Sequence, residues 1–109
     1  MKAGKDNRVV FVTCGTLTEG RRIARNVVRK RLSACVSVFL GPVESVYLWK
    51  GQVEQAREYL VVIKTTQKHL EELYKTIKKF HSYEVPEFIA LPIVAGSDEY
   101  LAWLKDSVG

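Results

Sequence analysis

The sequence contains little that would cross-link a small chain, with two cysteines, Cys14 and Cys35, and two histidines among 109 residues. A chain of this length builds one hydrophobic core without such links, so we expect a single domain over residues 1–109, with 1–7 as a flexible tail. No apolar run approaches the ~18 residues of a membrane helix, and the first residues lack the hydrophobic stretch of a signal peptide. These absences favour a cytoplasmic protein with free thiols and no membrane partner.

Short motifs of common enzyme chemistry are absent as well. The sequence has no phosphate-binding Walker loop, no dinucleotide-binding glycine pattern and no Cys-x-x-Cys pair. No serine lies in a glycine-flanked turn between a strand and a helix, which is the setting of many hydrolase nucleophiles. We therefore expect a non-enzymatic protein without catalytic residues.

Positive charge is concentrated in one segment of the chain. Seventeen Lys and Arg against twelve Asp and Glu give a net charge of +5, and residues 21–31 contain six basic residues and no acidic one. Clustered cations are what a phosphate backbone requires, so an RNA-binding module is one alternative function. The segment has no aromatic residues for base stacking. We favour a solvated helix face and do not expect nucleic acid as a partner.

Hydrophobic periodicity and turn residues predict the order β-α-β-β-α-β, followed by a short helix. The predicted strands cover residues 9–14, 34–49, 53–66 and 88–94, the second of them bent at Gly41 and Pro42. The predicted helix N-caps are Thr18, Thr66 and Ser97. This order matches an α+β ferredoxin-like fold, an antiparallel sheet backed by two helices. Two strands are long for so small a domain, and their free edges favour pairing between subunits.

Cys14 and His81 are candidate metal ligands because of their chemistry and their predicted positions. Cys14 ends the first strand, and His81 begins the loop that leads into the last strand. A thiolate and an imidazole together suit Cu(I), Cu(II) and Zn(II). The alternative interpretation is a buried thiol and a loop imidazole bonded to the backbone. The residues alone leave both interpretations open.

Polar and aromatic residues form two further candidate groups. A binding cleft that combines carboxylate, phenol and ammonium groups is predicted from Glu58, Lys64, Tyr83 and Glu87. The alternative is a set of surface charges around a loop that Pro86 stiffens. Two aromatic residues share one strand face and are candidates for a subunit contact, namely Tyr47 and Trp49.

Several separate segments resemble one known family. They are Ala-Cys-Val at 34–36, Ser-Val-Tyr-Leu-Trp-Lys-Gly at 45–51, Ile-Lys-Thr at 63–65, His-Ser-Tyr-Glu-Val-Pro-Glu at 81–87 and Tyr-Leu-Ala-Trp at 100–103. In this order they resemble the CutA family, known as divalent cation tolerance proteins. The resemblance runs from about Val9 to Val108, which is nearly the whole chain.

The resemblance implies a ferredoxin-like subunit in a homotrimer, linked to tolerance of copper and other divalent cations, with no settled catalytic activity. It implies Cys14 and His81 as ligands of an exchangeable copper or other divalent cation, and we expect the remaining positions to be filled by Glu84, water or another subunit. Ser82 stands where the family commonly has proline. The family is similar to the PII signalling proteins, so the alternative function is a signalling trimer that binds a small anionic ligand in an intersubunit cleft through Lys64.

Overall fold

The structure, a computed structural model, describes the backbone of residues 1–109 and the side chains of all of them except residues 2–4. Five strands and three helices follow one another in the order β-α-β-β-β-α-β-α. They are β1 (Lys2–Cys14), α1 (Leu17–Arg29), β2 (Cys35–Val38), β3 (Val43–Trp49), β4 (Gln52–Thr66), α2 (Leu70–Phe80), β5 (Ile89–Gly96) and α3 (Asp98–Ser107), with a 3-10 turn (Gln67–His69) before α2. The predicted ferredoxin-like fold class is confirmed.

The sheet is antiparallel, with strand order β2-β4-β1-β5, and β3 also pairs with β4. Strand β1 pairs with β4 from Asn7 opposite Thr66 to Cys14 opposite Tyr59. The first half of β4, before Tyr59, pairs with β3 alone. The β3–β4 hairpin therefore extends past the end of the main sheet, and the molecule is elongated, with principal extents of 44 × 25 × 25 Å.

The core lies between one face of the sheet and helices α1 and α2. Side chains alternate along a strand, so every second residue of β1 points into this layer. The fully buried apolar residues of this layer are Val10, Val12 and Cys14 of β1, Val61 and Ile63 of β4, Ile23 and Val27 of α1, and Leu73 and Ile77 of α2. This core fixes the ends of β1 and α2 next to each other, and those two ends carry Cys14 and His81.

A two-residue turn closes the β3–β4 hairpin at Lys50 and Gly51, where the sequence predicts one. Both residues have positive φ, 51° at Lys50 and 79° at Gly51, and Trp49 pairs with Gln52 across the turn. Turns with two positive φ values match the twist of antiparallel strands, and they favour glycine because L side chains are strained there.

Four local predictions differ from the structure. Thr66, the predicted N-cap of α2, makes no side-chain capping bond, and α2 begins after the 3-10 turn, with His69 at its N-cap position. Strand β1 begins at Lys2 rather than at Val9. The strand predicted over 34–49 is interrupted at 39–42 and forms two strands, because the register against β4 shifts between Val38–Val61 and Val43–Glu58. Of two nearby threonines, Thr16 rather than the predicted Thr18 caps α1, its side chain accepting from the Glu19 N–H at 3.1 Å.

Among the described residues, no helix has the length and hydropathy needed to cross a membrane.

Candidate metal site and adjoining cavity

Three side chains that bind metals in many proteins meet at the end of strand β1. Cys14 is the last residue of β1, Glu19 lies in the first turn of α1, and His81 follows the last residue of α2. One ligand atom from each lies within 4.8 Å of the others. Cys14 and His81 are buried and Glu19 is half-buried. The predicted proximity of Cys14 and His81 is present, and Glu19 joins them.

The backbone fixes the tautomer of His81. Its Nε2 lies 2.7 Å from the carbonyl oxygen of Thr13, and because a carbonyl only accepts, Nε2 carries the proton and donates. In the neutral imidazole, Nδ1 then holds the lone pair, and it accepts from the Tyr83 N–H at 3.1 Å. A histidine whose far nitrogen donates to a backbone carbonyl is the usual arrangement of a metal ligand. Nδ1 is therefore the ligand atom that His81 offers.

Glu19 has one satisfied and one unsatisfied carboxylate oxygen. Oε1 accepts from the backbone N–H of Ser82 at 3.0 Å. Oε2 is buried, has no hydrogen-bond partner among the described side chains, and lies 3.6 Å from His81 Nδ1. A proline at position 82 would have no N–H to donate to Glu19 Oε1. The serine found here therefore helps to hold the Glu19 carboxylate in place. A buried orphan acceptor next to a lone-pair nitrogen is an arrangement that a bound cation would satisfy.

The Cys14 thiol is held in its neutral form. Burial raises its pKa from 9.0 to about 12, and the negative charges of Glu19 and Glu58 contribute to the same direction. Metal ions bind the thiolate, so a metal at this site displaces the proton of the Cys14 thiol. The positive charge of the metal then offsets the negative charges of the thiolate and of the nearby carboxylates. The donor set of sulfur, nitrogen and oxygen fits copper or zinc better than magnesium or calcium. The residues present thus fit a transition metal.

The structure places Glu84 apart from this cluster. Glu84 is exposed and lines a neighbouring cavity, whereas the carboxylate next to Cys14 and His81 is that of Glu19. The sequence carried one usable signal for Glu19: it is the acidic residue in the first turn of the helix that directly follows Cys14. The prediction missed it because the position of α1 against residue 82 is set by tertiary packing.

A cavity of about 690 Å³ opens beside the cluster, between the β3–β4 hairpin and the segment 82–87. Three of the four predicted cleft residues line it, namely Glu58, Tyr83 and Glu87. Lys64 does not, because it lies further along β4, where its Nζ is 3.1 Å from the Ser37 hydroxyl. The cavity also receives Tyr47 and Trp49 of β3, together with Glu84.

The cavity is electrostatically negative. Burial raises the pKa of Tyr83, and the neighbouring carboxylate of Glu58 raises it further. Burial and the charge of Glu58 also raise the pKa of Glu87. Of the side chains that the structure describes, no lysine or arginine lines the cavity. This cavity does not favour an anionic ligand, and Lys64 is not positioned to bind one there.

The hairpin exposes a band of apolar side chains. Tyr47 and Trp49, the predicted contact residues, are 44% and 41% exposed. Further exposed apolar residues on the hairpin are Val46, Leu48 and Val53, and those on edge strand β5 are Ile89, Leu91 and Val94. Isolated exposed apolar residues are normal on the surface of a monomeric protein, but this protein exposes several of them on the hairpin and on β5.

The fold and the cluster define a class, that of small ferredoxin-like α+β proteins with a candidate transition-metal site at the end of the first strand. The profile of a family described as CutA1 divalent ion tolerance protein matches residues 8–107. The chain therefore belongs to the CutA1 family, whose name describes tolerance of divalent ions rather than an enzyme activity.

Individual relatives agree with this assignment. The chain is 48% identical over 99 residues to the chloroplastic protein CutA of Arabidopsis thaliana, covering 91% of this chain and 54% of that protein. It is 41% identical to the divalent-cation tolerance protein CutA of Thermus thermophilus, covering 93% and 97% of the two chains. The chain thus spans about half of the plant relative and nearly all of the bacterial one.

Solved structures give the same result for the fold. The divalent cation tolerance protein Cut A1 from Thermus thermophilus superposes with a TM-score of 0.91 at 39% identity, covering 94% of this chain and 99% of that one. CutA1 from Oryza sativa superposes with a TM-score of 0.91 at 40% identity, covering 99% and 98%.

Proposed function

We propose that this protein is a homotrimeric, non-enzymatic metal-response protein that binds copper or another divalent cation at Cys14, Glu19 and His81. The observation that carries the proposal is the buried Glu19 Oε2, which finds no hydrogen-bond partner in the part of the chain whose side chains are described and lies 3.6 Å from His81 Nδ1. A cation bound there would give this orphan oxygen a partner. The family name, which refers to divalent ions, supports the same function.

The proposed site is exchangeable. Three donors from one chain leave a coordination position for water or another ligand, unlike a closed four-ligand structural zinc site. The Tyr83 N–H, which now bonds to His81 Nδ1, would have to release that nitrogen when a metal binds. Metal binding is therefore expected to shift the segment that contains Tyr83 and Glu84, and through it the wall of the cavity. This coupling would let the trimer report metal occupancy.

The proposed trimer rests on free strand edges and exposed apolar side chains. The first half of β4 pairs with β3 on one side, and the pairing of β1 begins only at Tyr59. Strand β5 pairs with β1 alone. Unpaired edges template the addition of strands, and the apolar band of the hairpin and β5 supplies the area that a stable contact needs. A second and third copy of the chain would cover both.

The metal proposal is tested by chelator-competition titration of Cu(I), Cu(II) and Zn(II). We expect one ion per chain for the wild type. The variants Cys14→Ser, Glu19→Gln and His81→Ala each remove one donor and are expected to weaken binding by about tenfold or more. Equal affinity in wild type and all three variants would show that metal binds elsewhere.

Matched controls come from the chain itself. Cys35→Ser removes the other cysteine and His69→Ala the other histidine, and neither residue belongs to the cluster. Both controls are expected to bind metal as the wild type does. Loss of affinity in the controls as well would indicate a general effect on folding or nonspecific binding by thiols and imidazoles.

The trimer is tested by light scattering of the wild type and of Trp49→Ala. We expect the mass of three chains for the wild type and a concentration-dependent fall toward one chain for the variant, because interface energy concentrates in buried aromatic residues. Lys68→Ala, an exposed change outside the hairpin, is the control. A full trimer mass for Trp49→Ala would refute the role of this residue, and a single-chain mass for the wild type would refute the trimer. The cytoplasmic location stays a prediction.

A further inference from the structure

The outer side of helix α1 carries a row of arginines. Its members lie opposite the side of the helix that is buried in the core, and all are exposed: Arg21, Arg22, Arg25 and Arg29. Spacings of three and four residues keep side chains on one side of a helix. A helix rises about 1.5 Å per residue, so the row spans about 12 Å and holds about one positive charge per 4 Å.

The positive charge of this row is not compensated by the described part of the chain. Among the described side chains, none of the four arginines forms an ion pair with a carboxylate. Helix α2 packs beside α1 and adds three exposed lysines and two exposed glutamates, namely Lys75, Lys78, Lys79, Glu71 and Glu72. The four arginines and three lysines together are called the basic face below. This surface attracts polyanions.

The basic face does not overlap with the proposed subunit contacts. The exposed apolar side chains that the trimer would cover lie on the β3–β4 hairpin and on β5. Helix α1, all of whose side chains are described, exposes Val28 as its single large apolar residue. Each copy in a trimer would therefore keep its own basic face. Three such faces bind one long polyanion more tightly than a single face does.

The density of charge in the row favours a polymer of phosphates over an acidic peptide. An extended peptide presents every second side chain on one side, so its acidic groups are about 7 Å apart. A nucleic acid strand carries one charge per about 3.4 Å, and a chain of condensed phosphates also carries a charge on every unit. The spacing of about 4 Å in the arginine row is closer to that of the phosphate polymers. Arginine also forms paired hydrogen bonds with phosphate oxygens.

Other features of the two helices disfavour nucleic acid and lipid as partners. Proteins that bind single strands stack bases on aromatic rings, but α1 contains no aromatic residue. In α2, Tyr74 packs edge-on against Phe88, and Phe80 packs against the core. A helix that lies on a membrane buries its apolar side in the lipid, whereas Ile23 and Val27 of α1 are already buried in the core. The basic face therefore offers recognition of phosphate charge alone.

We propose that the basic face binds inorganic polyphosphate, with successive phosphates along the arginine row of α1 and the lysines of α2 beside them. Polyphosphate is flexible and has neither bases nor apolar groups, so it requires no aromatic or apolar contact from the protein. Its binding releases counterions, so the affinity falls as salt rises. This inference does not depend on the proposed metal site, because no residue of the basic face belongs to the metal cluster.

The test compares long-chain polyphosphate with pyrophosphate, which contains the same linkage but is too short to follow the row. Binding is measured by isothermal titration calorimetry at about 150 mM salt, where distant charges are screened, with EDTA present to remove metal ions. We expect the long chain to bind at least about tenfold more tightly at equal phosphate concentration. Equal binding of the two, or no binding of the long chain at millimolar phosphate, would overturn the proposal.

Four other anionic partners are measured under the same conditions. They are single-stranded poly(U) RNA, duplex DNA, polyglutamate and vesicles that contain phosphatidylserine, each at the same concentration of negative charge. We expect all four to bind more weakly than polyphosphate does. If one of them binds as tightly or more tightly, polyphosphate is the wrong partner for this surface.

Paired variants locate the binding. The double variant Arg25→Gln, Arg29→Gln removes two charges from the row and is expected to weaken polyphosphate binding by about tenfold or more. The double variant Lys5→Gln, Lys105→Gln removes two exposed charges on β1 and α3 and is expected to change the affinity by less than about twofold. Equal weakening by the two double variants would show an effect of net charge alone and refute the site.

Two further measurements exclude indirect effects. Circular dichroism and light scattering are recorded for each variant, and the double variant Arg21→Gln, Arg22→Gln takes the place of any row variant that misfolds or loses assembly. Cys14→Ser is expected to keep the polyphosphate affinity of the wild type, because the metal donor is lost and the basic face is intact. Loss of polyphosphate binding in Cys14→Ser would assign the polymer to the metal cluster, which contradicts the inference.

Discussion

Alkaline solution should destabilise this protein through one buried thiol. Cys14 is fully buried, and its pKa is raised from 9.0 to about 12 in the folded chain. Between these two values the unfolded chain releases the thiol proton while the folded chain retains it. The unfolded state then binds fewer protons, so the free energy of unfolding falls as pH rises. The loss begins near pH 9 and ends near pH 12.

The magnitude follows from the proton difference. One proton retained by the folded state lowers stability by about 1.4 kcal/mol per pH unit. Between pH 8 and pH 10.5, about one and a half pH units lie above pH 9, where the loss begins. The free energy of unfolding therefore falls by about 2 kcal/mol per chain. Other groups titrate in the same range, and Cys14→Ala removes the contribution of this thiol while leaving theirs in place.

Urea unfolding measures this effect as a double difference. Cys35→Ala is present in both proteins to prevent disulfide exchange, and EDTA removes metal. Stability is measured at pH 8 and pH 10.5, at one protein concentration, with and without Cys14→Ala. We expect the protein that keeps Cys14 to lose about 2 kcal/mol more than the variant between the two pH values. Parallel losses in the two proteins would refute the raised pKa of this thiol.

Three further predictions address metal binding, one helix cap and the core. Since the thiol must lose a proton to bind metal, the apparent affinity for Zn(II) should rise about tenfold per unit between pH 7 and pH 8, and a competition titration that showed no pH dependence would contradict thiolate ligation. Thr16→Ala removes the N-cap bond of α1 and should cost about 1 kcal/mol in urea unfolding, whereas Thr18→Ala should cost much less. Ile77→Ala empties a fully buried site and should cost about 2–5 kcal/mol; a loss below about 1 kcal/mol would mean that the core collapses into the space.

The sequence predicted the fold, and it predicted that Cys14 and His81 lie close together. Short-range periodicity gave the order of strands and helices, because burial on one face imposes a period of two on strands and 3.6 on helices. Cys14 and His81 were recognisable because each lies at the end of such an element. The hairpin turn at Lys50 and Gly51 followed from local conformational preference alone.

Tertiary structure decided which carboxylate completes the candidate site. Glu19 lies on a helix, and residue 82 lies far away in the chain; their bond forms only because α1 and α2 pack side by side on the sheet. Glu84, the predicted donor, is closer to His81 in sequence but faces the cavity. Distance along the sequence does not predict this difference, because the direction of a side chain depends on the path of the loop.

Local sequence patterns also do not predict the strand register. The position of Lys64 next to Ser37, and not in the cavity with Glu58, results from the pairing of β4 with β2 and β1. The shift in register that separates β2 from β3 has the same origin. Periodicity along one strand specifies which residues face the core, whereas the partner of each residue is set by contacts between distant segments. The sequence by itself therefore determined the elements and the buried faces. The tertiary structure determined that Cys14, Glu19 and His81 meet at one candidate site and which side chains line the cavity.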